Sequence, residues 1–307
     1  MNRTIAILIP CFNEELTISS VVTDFKKVLP QAKIYVCDNA STDNTSNLAE
    51  KSGAIVFHEK IRGKGNVIRR MFSDIEADIY IMVDGDNTYE ARKCEEMVDL
   101  LIKSNLDMVV GVRKTSNSDG EYRRGHVFGN WMLTKSVSLI FGSGFSDMLS
   151  GYRVMSRRFV KSFPIMSKGF GIETEMTVHA LQIGASYAEE VTIYNSRPKG
   201  SESKLSTVKD GIKILGTIIL LFKEEKPFYF FSIMSLLFFL VSLILSFPIF
   251  ITYLEMGLVP RVPTAILSTG LMIMSFSSFI SGVVLDSLSR SKLQSKKLNY
   301  LMYKSLK

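Results

Sequence analysis

The chain has 307 residues, of which 46% are hydrophobic and 22% are charged, and its formal net charge is +7 at pH 7. This composition excludes a disordered chain, and it also excludes a protein that lies within a membrane throughout. Three cysteines, Cys11, Cys37 and Cys94, are too few for a disulfide framework. No recognised nucleic-acid-binding motif accompanies the positive charge, so no nucleic-acid partner is expected.

Apolar strands and amphipathic helices alternate through the first part of the chain. Strands are predicted at 4–9, 33–37, 54–58, 79–83 and 108–112, with helices at 14–29, 42–53, 65–75 and 91–104. Strands separated by helices predict an α/β fold, a mostly parallel sheet with helices on both faces. Ligands bind beyond the carboxyl ends of the strands in such sheets, so the polar residues there are candidates for chemistry.

Polar residues follow three of these strands. The first strand leads into Pro10-Cys-Phe-Asn13-Glu14, the second ends at Asp38, and strand 79–83 is followed by Asp84-Gly85-Asp86. Asn13 could equally serve as a helix N-cap. Two acids separated by one glycine repel each other unless a cation lies there, and hard divalent cations prefer oxygen ligands. The pair therefore predicts a Mg²⁺ or Mn²⁺ site at Asp84 and Asp86.

Two uncharged runs, 228–254 and 262–285, lie towards the C-terminal end. A helix needs roughly 20 apolar residues to cross a bilayer, so both runs predict transmembrane helices. Two buried core helices are the alternative, which the lack of charge over such lengths disfavours. Lys and Arg flank the pair of runs, and only Arg261 lies between them. This distribution predicts a multi-pass protein of the cytoplasmic membrane, with the α/β domain and both termini in the cytoplasm.

With these motifs the sequence resembles family 2 glycosyltransferases of the GT-A (Rossmann-like) fold. The resemblance is to the branch of dolichyl-phosphate mannose synthase and the bacterial polyprenyl-phosphate glycosyltransferases, over roughly residues 4–215. Some members also carry two C-terminal membrane helices. The resemblance implies that the nucleotide-sugar donor is bound by Pro10, Asn13, Glu14, Asp38, Lys64 and Asp84. It also implies that Asp84 and Asp86 reach the divalent cation.

Later segments narrow the resemblance. Asp147-Met-Leu-Ser150-Gly151-Tyr152-Arg153 matches the D-x-x-S-G-[FY]-R segment of the polyprenyl-phosphate enzymes. Asp147 is accordingly the candidate catalytic residue, with an ion pair to Arg153 as the structural alternative, and Ser150 and Arg153 are candidates for the acceptor phosphate. The segment from Arg197 to Lys204 resembles the mobile loop of these enzymes, so both residues are expected to bind the donor pyrophosphate.

Further features bear on the acceptor and on the donor. Arg123 and Arg124 are candidates for binding the acceptor phosphate, because guanidinium binds phosphate bidentately; a solvated basic loop is the alternative. The Q-x-x-R-W signature of processive polysaccharide synthases is absent, which favours a single transfer. Two positions depart from the family pattern: Asn39 stands where many relatives have a second acid, and Thr88 stands where the mannose synthases often have glutamine.

The sequence thus predicts an inverting transferase that moves one sugar from a nucleotide donor, UDP favoured, to polyprenyl (undecaprenyl) phosphate at the cytosolic membrane face. Transfer to a lipid or glycan hydroxyl is one alternative, and a non-catalytic role in sugar-lipid binding or flipping is another. The expected parts are a GT-A domain (1–208), an amphipathic interfacial segment (209–227), two transmembrane helices (228–285) and a basic cytosolic tail (286–307). The expected partners are donor, acceptor and membrane lipids, and a homo-oligomer is left open.

Overall fold

A computed structural model describes residues 3–115, 131–132, 134–138, 144–165, 171–195, 216 and 218–306 of the chain. The chain divides into two compact units. One consists of Met1–Ile212 together with Lys296–Lys307, and the other consists of Lys213–Ser295.

In the described part of the first unit, seven strands form one sheet in the order β3-β2-β1-β4-β6-β5-β7. They are β1 (Ile5–Cys11), β2 (Lys33–Asp38), β3 (Ile55–His58), β4 (Ile79–Met82), β5 (Met108–Thr115), β6 (Arg153–Ser156) and β7 (Tyr187–Tyr194). Strand β6 is antiparallel to its neighbours β4 and β5, while the other pairings are parallel. The predicted mostly parallel sheet is therefore confirmed.

The helices of this unit are α1 (Ile18–Val28), α2 (Thr45–Lys51), α3 (Lys64–Asp74), α4 (Lys93–Lys103), α5 (Arg157–Ser162) and α6 (Ile172–Ile183). Helices α1 and α2 begin later than predicted, because the residues after β1 and β2 bond to each other. The backbone amide of Asn13 donates to Ser41 Oγ at 2.9 Å, and the side-chain oxygen Oδ1 of Asn13 accepts from the backbone amide of Thr42 at 2.8 Å. Asn13 therefore links two loops instead of capping α1.

Strand β1 lies inside the sheet, between β2 and β4, and contributes much of the core. Ile7 and Leu8 are fully buried, as are Ile81 and Met82 of β4. Burying such a side chain stabilises the fold by roughly 1.5–3 kcal/mol relative to leaving it exposed. Pro10 has no amide hydrogen, but the pairing of β1 with β4 already ends at Leu8 and Met82. The proline therefore interrupts no hydrogen bond of that ladder.

The second unit contains α7 (Pro227–Met256) and the apolar part of α8 (Val262–Leu301). Both helices are long and apolar enough to cross a membrane, and only 6% and 11% of their most apolar stretches are buried within the protein. Such exposure disfavours the alternative of two core helices. Ser242 Oγ donates to the Ser268 carbonyl at 2.8 Å, and Ser275 Oγ donates to the Ser235 carbonyl at 2.9 Å. These bonds satisfy hydroxyls between the two helices, as in membrane helix pairs.

The parts predicted around these helices differ in how much of them the structure describes. Of the expected interfacial segment 209–227, only residue 216 and the residues from 218 onwards are described. Helix α8 continues to Leu301, well beyond the uncharged run that ends at 285, and residues from Lys296 onwards belong to the first unit. The end of the chain, expected to be a basic tail, is therefore part of the compact sheet domain.

Candidate active site

The carboxyl ends of β1, β2 and β4 meet at one edge of the sheet. Each is followed by a residue with left-handed backbone geometry that is not glycine: Asn13 at φ 53°, Ala40 at φ 57° and Asn87 at φ 58°. Non-glycine residues seldom adopt this conformation, and it recurs at binding and catalytic sites. Three such residues at neighbouring strand ends mark this edge as the candidate site.

Asp38 lies at the end of β2 with its carboxylate fixed by neighbours. Its Oδ1 accepts from the Ser41 amide at 3.1 Å and its Oδ2 accepts from Ser46 Oγ at 2.7 Å. Glu14 is tied to the same region, because its amide donates to Thr45 Oγ1 at 2.9 Å. The half-buried Pro10 is at the end of β1. Residues expected at the nucleotide thus converge, and the ordered carboxylate of Asp38 can accept a donor from a ligand with little rearrangement.

Asp86 is almost completely buried, and Thr88 holds its carboxylate. Thr88 Oγ1 donates to Asp86 Oδ1 at 2.6 Å, and the Thr88 amide approaches the same oxygen at 3.3 Å. Thr88, at the position where the mannose synthases often have glutamine, therefore orients Asp86. Glycine is required at position 85, since a Cβ there would lie 2.7 Å from the sulfur of Cys11. The D-x-D turn thus packs tightly on the end of β1.

Lys64, at the start of α3, lies between two carboxylates. Its Nζ is 2.5 Å from Asp84 Oδ1 and 2.5 Å from Glu173 Oε1, and the Lys64 and Glu173 side chains are only 11% and 6% exposed. Burial works against the charged form, but Asp84 and Glu173 outweigh it and raise the pKa of Lys64 above its usual value. Lys64 is therefore a fixed cation at the carboxyl edge.

The segment that begins at Asp147 reaches the same place. A side chain at Gly151 would collide with the carboxylate of Asp84, so only glycine allows this approach. The Gly151 amide donates to the hydroxyl of Tyr89 at 3.0 Å. Burial raises the pKa of Tyr89, which keeps the phenol neutral. The D-x-D motif and the D-x-x-S-G-Y-R segment are therefore in direct contact.

Asp147 forms an ion pair with Arg113 of β5. Arg113 Nε donates to Asp147 Oδ2 and Arg113 Nη2 donates to Asp147 Oδ1, each at 2.7 Å. The structural alternative for Asp147, an ion pair with Arg153, is therefore wrong in its partner. Asp147 does form an ion pair, but with Arg113, which donates to both of its carboxylate oxygens. The guanidinium of Arg113 also lies 5.6 Å from the ring centre of Tyr194. Arg113 is a site residue that sequence reasoning missed, because its position inside a strand hides it.

Ser150 and Arg153 do not have the geometry expected of acceptor ligands. Both are fully buried. Ser150 Oγ donates to the Gly111 carbonyl at 2.6 Å, while the Arg153 guanidinium donates to the carbonyls of Ser150 and Met148 and to Thr177 Oγ1. Burial lowers the pKa of Arg153 to about 10. Both side chains are used to join β6, β5 and α6, which corrects the expectation that they face a phosphate.

Four expected ligands lie outside the described residues: Arg123, Arg124, Arg197 and Lys204. A different residue joins the site instead. Glu173, at the start of α6, stands in the segment Gly169-Phe-Gly-Ile-Glu173 and is not among the residues that the sequence predicts at the site. Its contact with Lys64 across 109 positions of the chain has no signature in the sequence.

The carboxylates at the D-x-D turn suit a divalent cation whose coordination shell is completed by a substrate. Within the described ranges, no three His, Cys, Asp or Glu side chains group into a metal site. Mg²⁺ is usually bound through one or two carboxylates, with substrate phosphates and water supplying the other ligands. Asp84 and Asp86 offer two carboxylates at this turn, so the residues present fit a divalent cation whose other ligands are water and a bound substrate.

Comparison with known proteins agrees with this geometry. Glycosyltransferase AglJ from Haloferax volcanii is 36% identical over 229 residues, which cover 74% of this chain and 75% of that protein. A dolichyl-phosphate hexose transferase from the same organism is 25% identical over 222 residues, covering 72% of this chain and 95% of that protein.

A solved structure shows the same fold. Glucosyl-3-phosphoglycerate synthase from Mycobacterium tuberculosis, in complex with Mn²⁺, UDP-glucose and phosphoglyceric acid, superposes with a TM-score of 0.57 at 20% identity, covering 71% of this chain and 79% of that one. This likeness confirms the expected GT-A type fold. Residues 6–163 match the family described as Glycosyl transferase family 2. The protein is a glycosyltransferase, and the chain belongs to glycosyl transferase family 2.

Proposed function

We propose that this glycosyltransferase moves a single sugar from a nucleotide-sugar donor, with UDP favoured, to a polyprenyl phosphate at the cytosolic face of the membrane, with inversion at the anomeric carbon. The observation that carries the proposal is the cation of Lys64, held by Asp84 and Glu173 at the carboxyl edge of the sheet. A diphosphate leaving group gains negative charge as the sugar departs. A cation already in place lowers the barrier to that step, because it needs no reorganisation.

On the donor side, Asp38 and Glu14 hold the nucleotide and Lys64 faces the diphosphate. Asp84 and Asp86 would hold a divalent cation, which would supply Lewis-acid stabilisation of the leaving diphosphate when bound. Thr88 keeps the Asp86 carboxylate in one orientation. Arg197 and Lys204, which lie outside the described residues, would add positive charge near the diphosphate. These roles divide the edge into a base-binding part at β2 and a diphosphate-binding part at β4 and α3.

On the acceptor side, a phosphate is favoured over a hydroxyl. A phosphomonoester has its second pKa near about 6, so it is largely dianionic at neutral pH and needs no strong general base. A hydroxyl acceptor needs a base. Asp147 is poorly suited to that task, because both of its oxygens accept hydrogen bonds from Arg113. In this proposal Asp147 orients Arg113 for a phosphate, and Arg123 and Arg124 contribute further positive charge.

Association with the membrane also favours a polyprenyl phosphate as the acceptor. The two apolar helices suggest membrane association, and the related dolichyl-phosphate hexose transferase is named for a lipid phosphate. A polyprenyl carrier dissolved in the same bilayer meets the enzyme on a surface, which raises its effective concentration. The excess of Lys and Arg on either side of the helix pair favours a cytosolic catalytic unit.

The test uses the full-length protein in membranes. Labelled UDP-sugars and GDP-sugars are supplied with undecaprenyl phosphate or with undecaprenol, in Mn²⁺ or in EDTA. We expect a single sugar on undecaprenyl phosphate, none on undecaprenol, and none in EDTA. Lys64→Gln should lose transfer, whereas Lys60→Gln, an exposed lysine on the preceding loop, should retain it. Transfer to undecaprenol but not to its phosphate would establish the hydroxyl alternative.

A further inference from the structure

Asn39 connects the end of β2 to the loop that carries Lys64. Its side-chain Nδ2 donates to the carbonyl of Glu59 at 3.0 Å and to that of Ile61 at 2.9 Å. Its Oδ1 accepts from the amide of Gly63 at 2.7 Å. One buried amide therefore makes three hydrogen bonds to residues 59–63, the segment just before α3.

The backbone of this loop depends on those bonds. Gly63 has φ 128° and ψ 129°, a conformation that only glycine adopts readily, and it immediately precedes Lys64 at the first position of α3. The Gly63 carbonyl accepts hydrogen bonds from the amides of Asn66 and Val67 in α3, at 3.0 Å and 3.3 Å, but its own amide lies before the helix and has no partner in α3. The Gly63 amide is instead fixed by Asn39. The residue before Lys64 is therefore held by α3 through its carbonyl and by Asn39, just after β2, through its amide.

The chemistry of the three partners requires an amide at position 39. Two carbonyl oxygens need donors and one amide hydrogen needs an acceptor, and only asparagine supplies both from a side chain of this length. Aspartate has the same shape, but when ionised it can only accept. It would leave the carbonyls of Glu59 and Ile61 unpaired and place negative charge beside them. The family departure at this position thus has a definite structural consequence.

We infer that Asn39 is a positioning residue for donor binding, which acts by holding the 59–63 loop so that Lys64 meets Asp84 and Glu173. The inference rests on the proposed function only in assigning Lys64 to the donor diphosphate. Asn39 itself is 6% exposed and its amide is engaged within the chain. Its effect on a ligand is therefore transmitted through Lys64.

A double-mutant cycle tests this inference on the full-length protein in detergent. Asn39→Asp, Lys64→Gln and the double variant are titrated with UDP and with GDP in the presence of Mn²⁺, and the nucleotide that the wild type binds more tightly is used. Asn39→Asp should weaken binding about tenfold, and it should add less than about twofold when Lys64 is already replaced. Asn47→Asp makes the same chemical change on an exposed face of α2 and should leave binding unchanged.

Two further measurements separate positioning from a general loss of structure. Asn39→Ser keeps one donor and one acceptor, so its nucleotide affinity should lie between those of the wild type and Asn39→Asp. This variant remains informative even if the aspartate variant folds poorly. In transfer assays Asn39→Asp should raise the donor KM and also lower kcat, because a displaced Lys64 would serve both donor binding and departure of the diphosphate less well. The inference would be overturned if Asn39→Asp bound the nucleotide as tightly as the wild type. It would also be overturned if Asn39→Asp weakened binding equally in the wild-type and the Lys64→Gln background, and in both cases the proposed function would stand. Failure of the wild type to bind either nucleotide would overturn both.

Discussion

Tyr300, near the end of α8, donates its hydroxyl to Asp107 Oδ2 at 2.5 Å, although the two residues are 193 positions apart. Asp107 precedes β5 and is 1% exposed, and Arg158 donates to both of its oxygens. The guanidinium of Arg158 also lies 4.3 Å from the ring centre of Tyr300. The C-terminal segment is therefore bound to the sheet domain through a buried carboxylate, at the edge opposite the candidate site.

Removing the Tyr300 hydroxyl should weaken the sheet domain. A hydrogen bond to a charged group contributes roughly 1.5–3 kcal/mol, and Tyr300→Phe removes it while keeping the ring on Arg158. We expect the free energy of unfolding to fall by about that amount, measured by urea unfolding of the full-length protein in detergent. Tyr303→Phe, in the same tail, is the matched control. Equal stability of Tyr300→Phe and wild type would show that the remaining donors to Asp107, which are Arg158, Ser156 and Ser186, satisfy its carboxylate without Tyr300.

The strand-end part of the site could be predicted, because parallel strands bring their carboxyl ends together. This placed Asp38, Asp84 and Asp86 at one edge without any knowledge of long-range contacts. Strands β6 and β7 were not predicted. Strand β6 has only four residues, all buried, and opens with the charged Arg153, so neither alternation nor length marks it.

The rest of the site depends on contacts between distant positions, which a single sequence does not encode by pattern. Arg113 and Asp147 are 34 positions apart, and Lys64 and Glu173 are 109 apart. The D-x-x-S-G-Y-R segment indicated that Asp147 and Arg153 matter, with an ion pair between them as the structural alternative to a catalytic Asp147. The fold instead directs Arg153 into the interior and brings Arg113 to Asp147.

Acid should destabilise the sheet domain through His179. This residue is 2% exposed between the rings of Phe159 and Phe163, and neither ring nitrogen has a hydrogen-bond partner among the described residues. Burial, with a smaller effect from Lys296, lowers the pKa of His179 from 6.5 to about 3. Between these values the unfolded chain binds a proton that the folded chain excludes, so stability is lost as pH falls below 6.5.

The size of this effect follows from the pKa difference. At about 1.4 kcal/mol per pH unit, His179 alone should cost about 2 kcal/mol between pH 6.5 and pH 5. In His179→Leu this contribution disappears, and the unsatisfied ring nitrogens are removed as well. Urea unfolding at several pH values measures how the free energy of unfolding changes with pH in the wild type and in His179→Leu. Parallel pH dependence in the two proteins would mean that His179 is protonated in the folded state.

Relieving backbone strain at Ala40 should stabilise the protein. Ala40 is exposed and has φ 57°, so its Cβ makes the left-handed conformation unfavourable without contributing packing. Ala40→Gly should raise the free energy of unfolding by about 0.5–1 kcal/mol, after allowing for the greater freedom of glycine in the unfolded chain. Asn105 also has a positive φ of 50° but lies after α4, away from the site. Asn105→Gly should change stability little, because asparagine tolerates this conformation.

Loss of the Asp86 charge should abolish metal-dependent transfer without unfolding the protein. Asp86→Asn keeps an oxygen for the Thr88 hydroxyl, so the turn should remain in place, while a carboxylate ligand is lost. We expect transfer to fall at least about a hundredfold, and Mn²⁺ binding in the presence of UDP, followed by electron paramagnetic resonance, to weaken. Asp74→Asn, an exposed acid on α3, is the control for the charge change. Full wild-type activity in EDTA would remove the metal from the mechanism.

Asp147→Asn should lower turnover far more than donor affinity. The variant can accept from Arg113 at only one oxygen, so the bidentate pair that orients the guanidinium is lost, whereas the Lys64 cluster is untouched. We expect kcat to fall at least about a hundredfold and nucleotide affinity to stay within about threefold. Arg113→Lys keeps the positive charge but loses the paired N–H donors of the guanidinium. It should therefore raise the acceptor KM in the same assay. Near-normal kcat in Asp147→Asn, measured at saturating donor and acceptor, would reduce the Asp147–Arg113 pair to a structural link between β5 and the following segment.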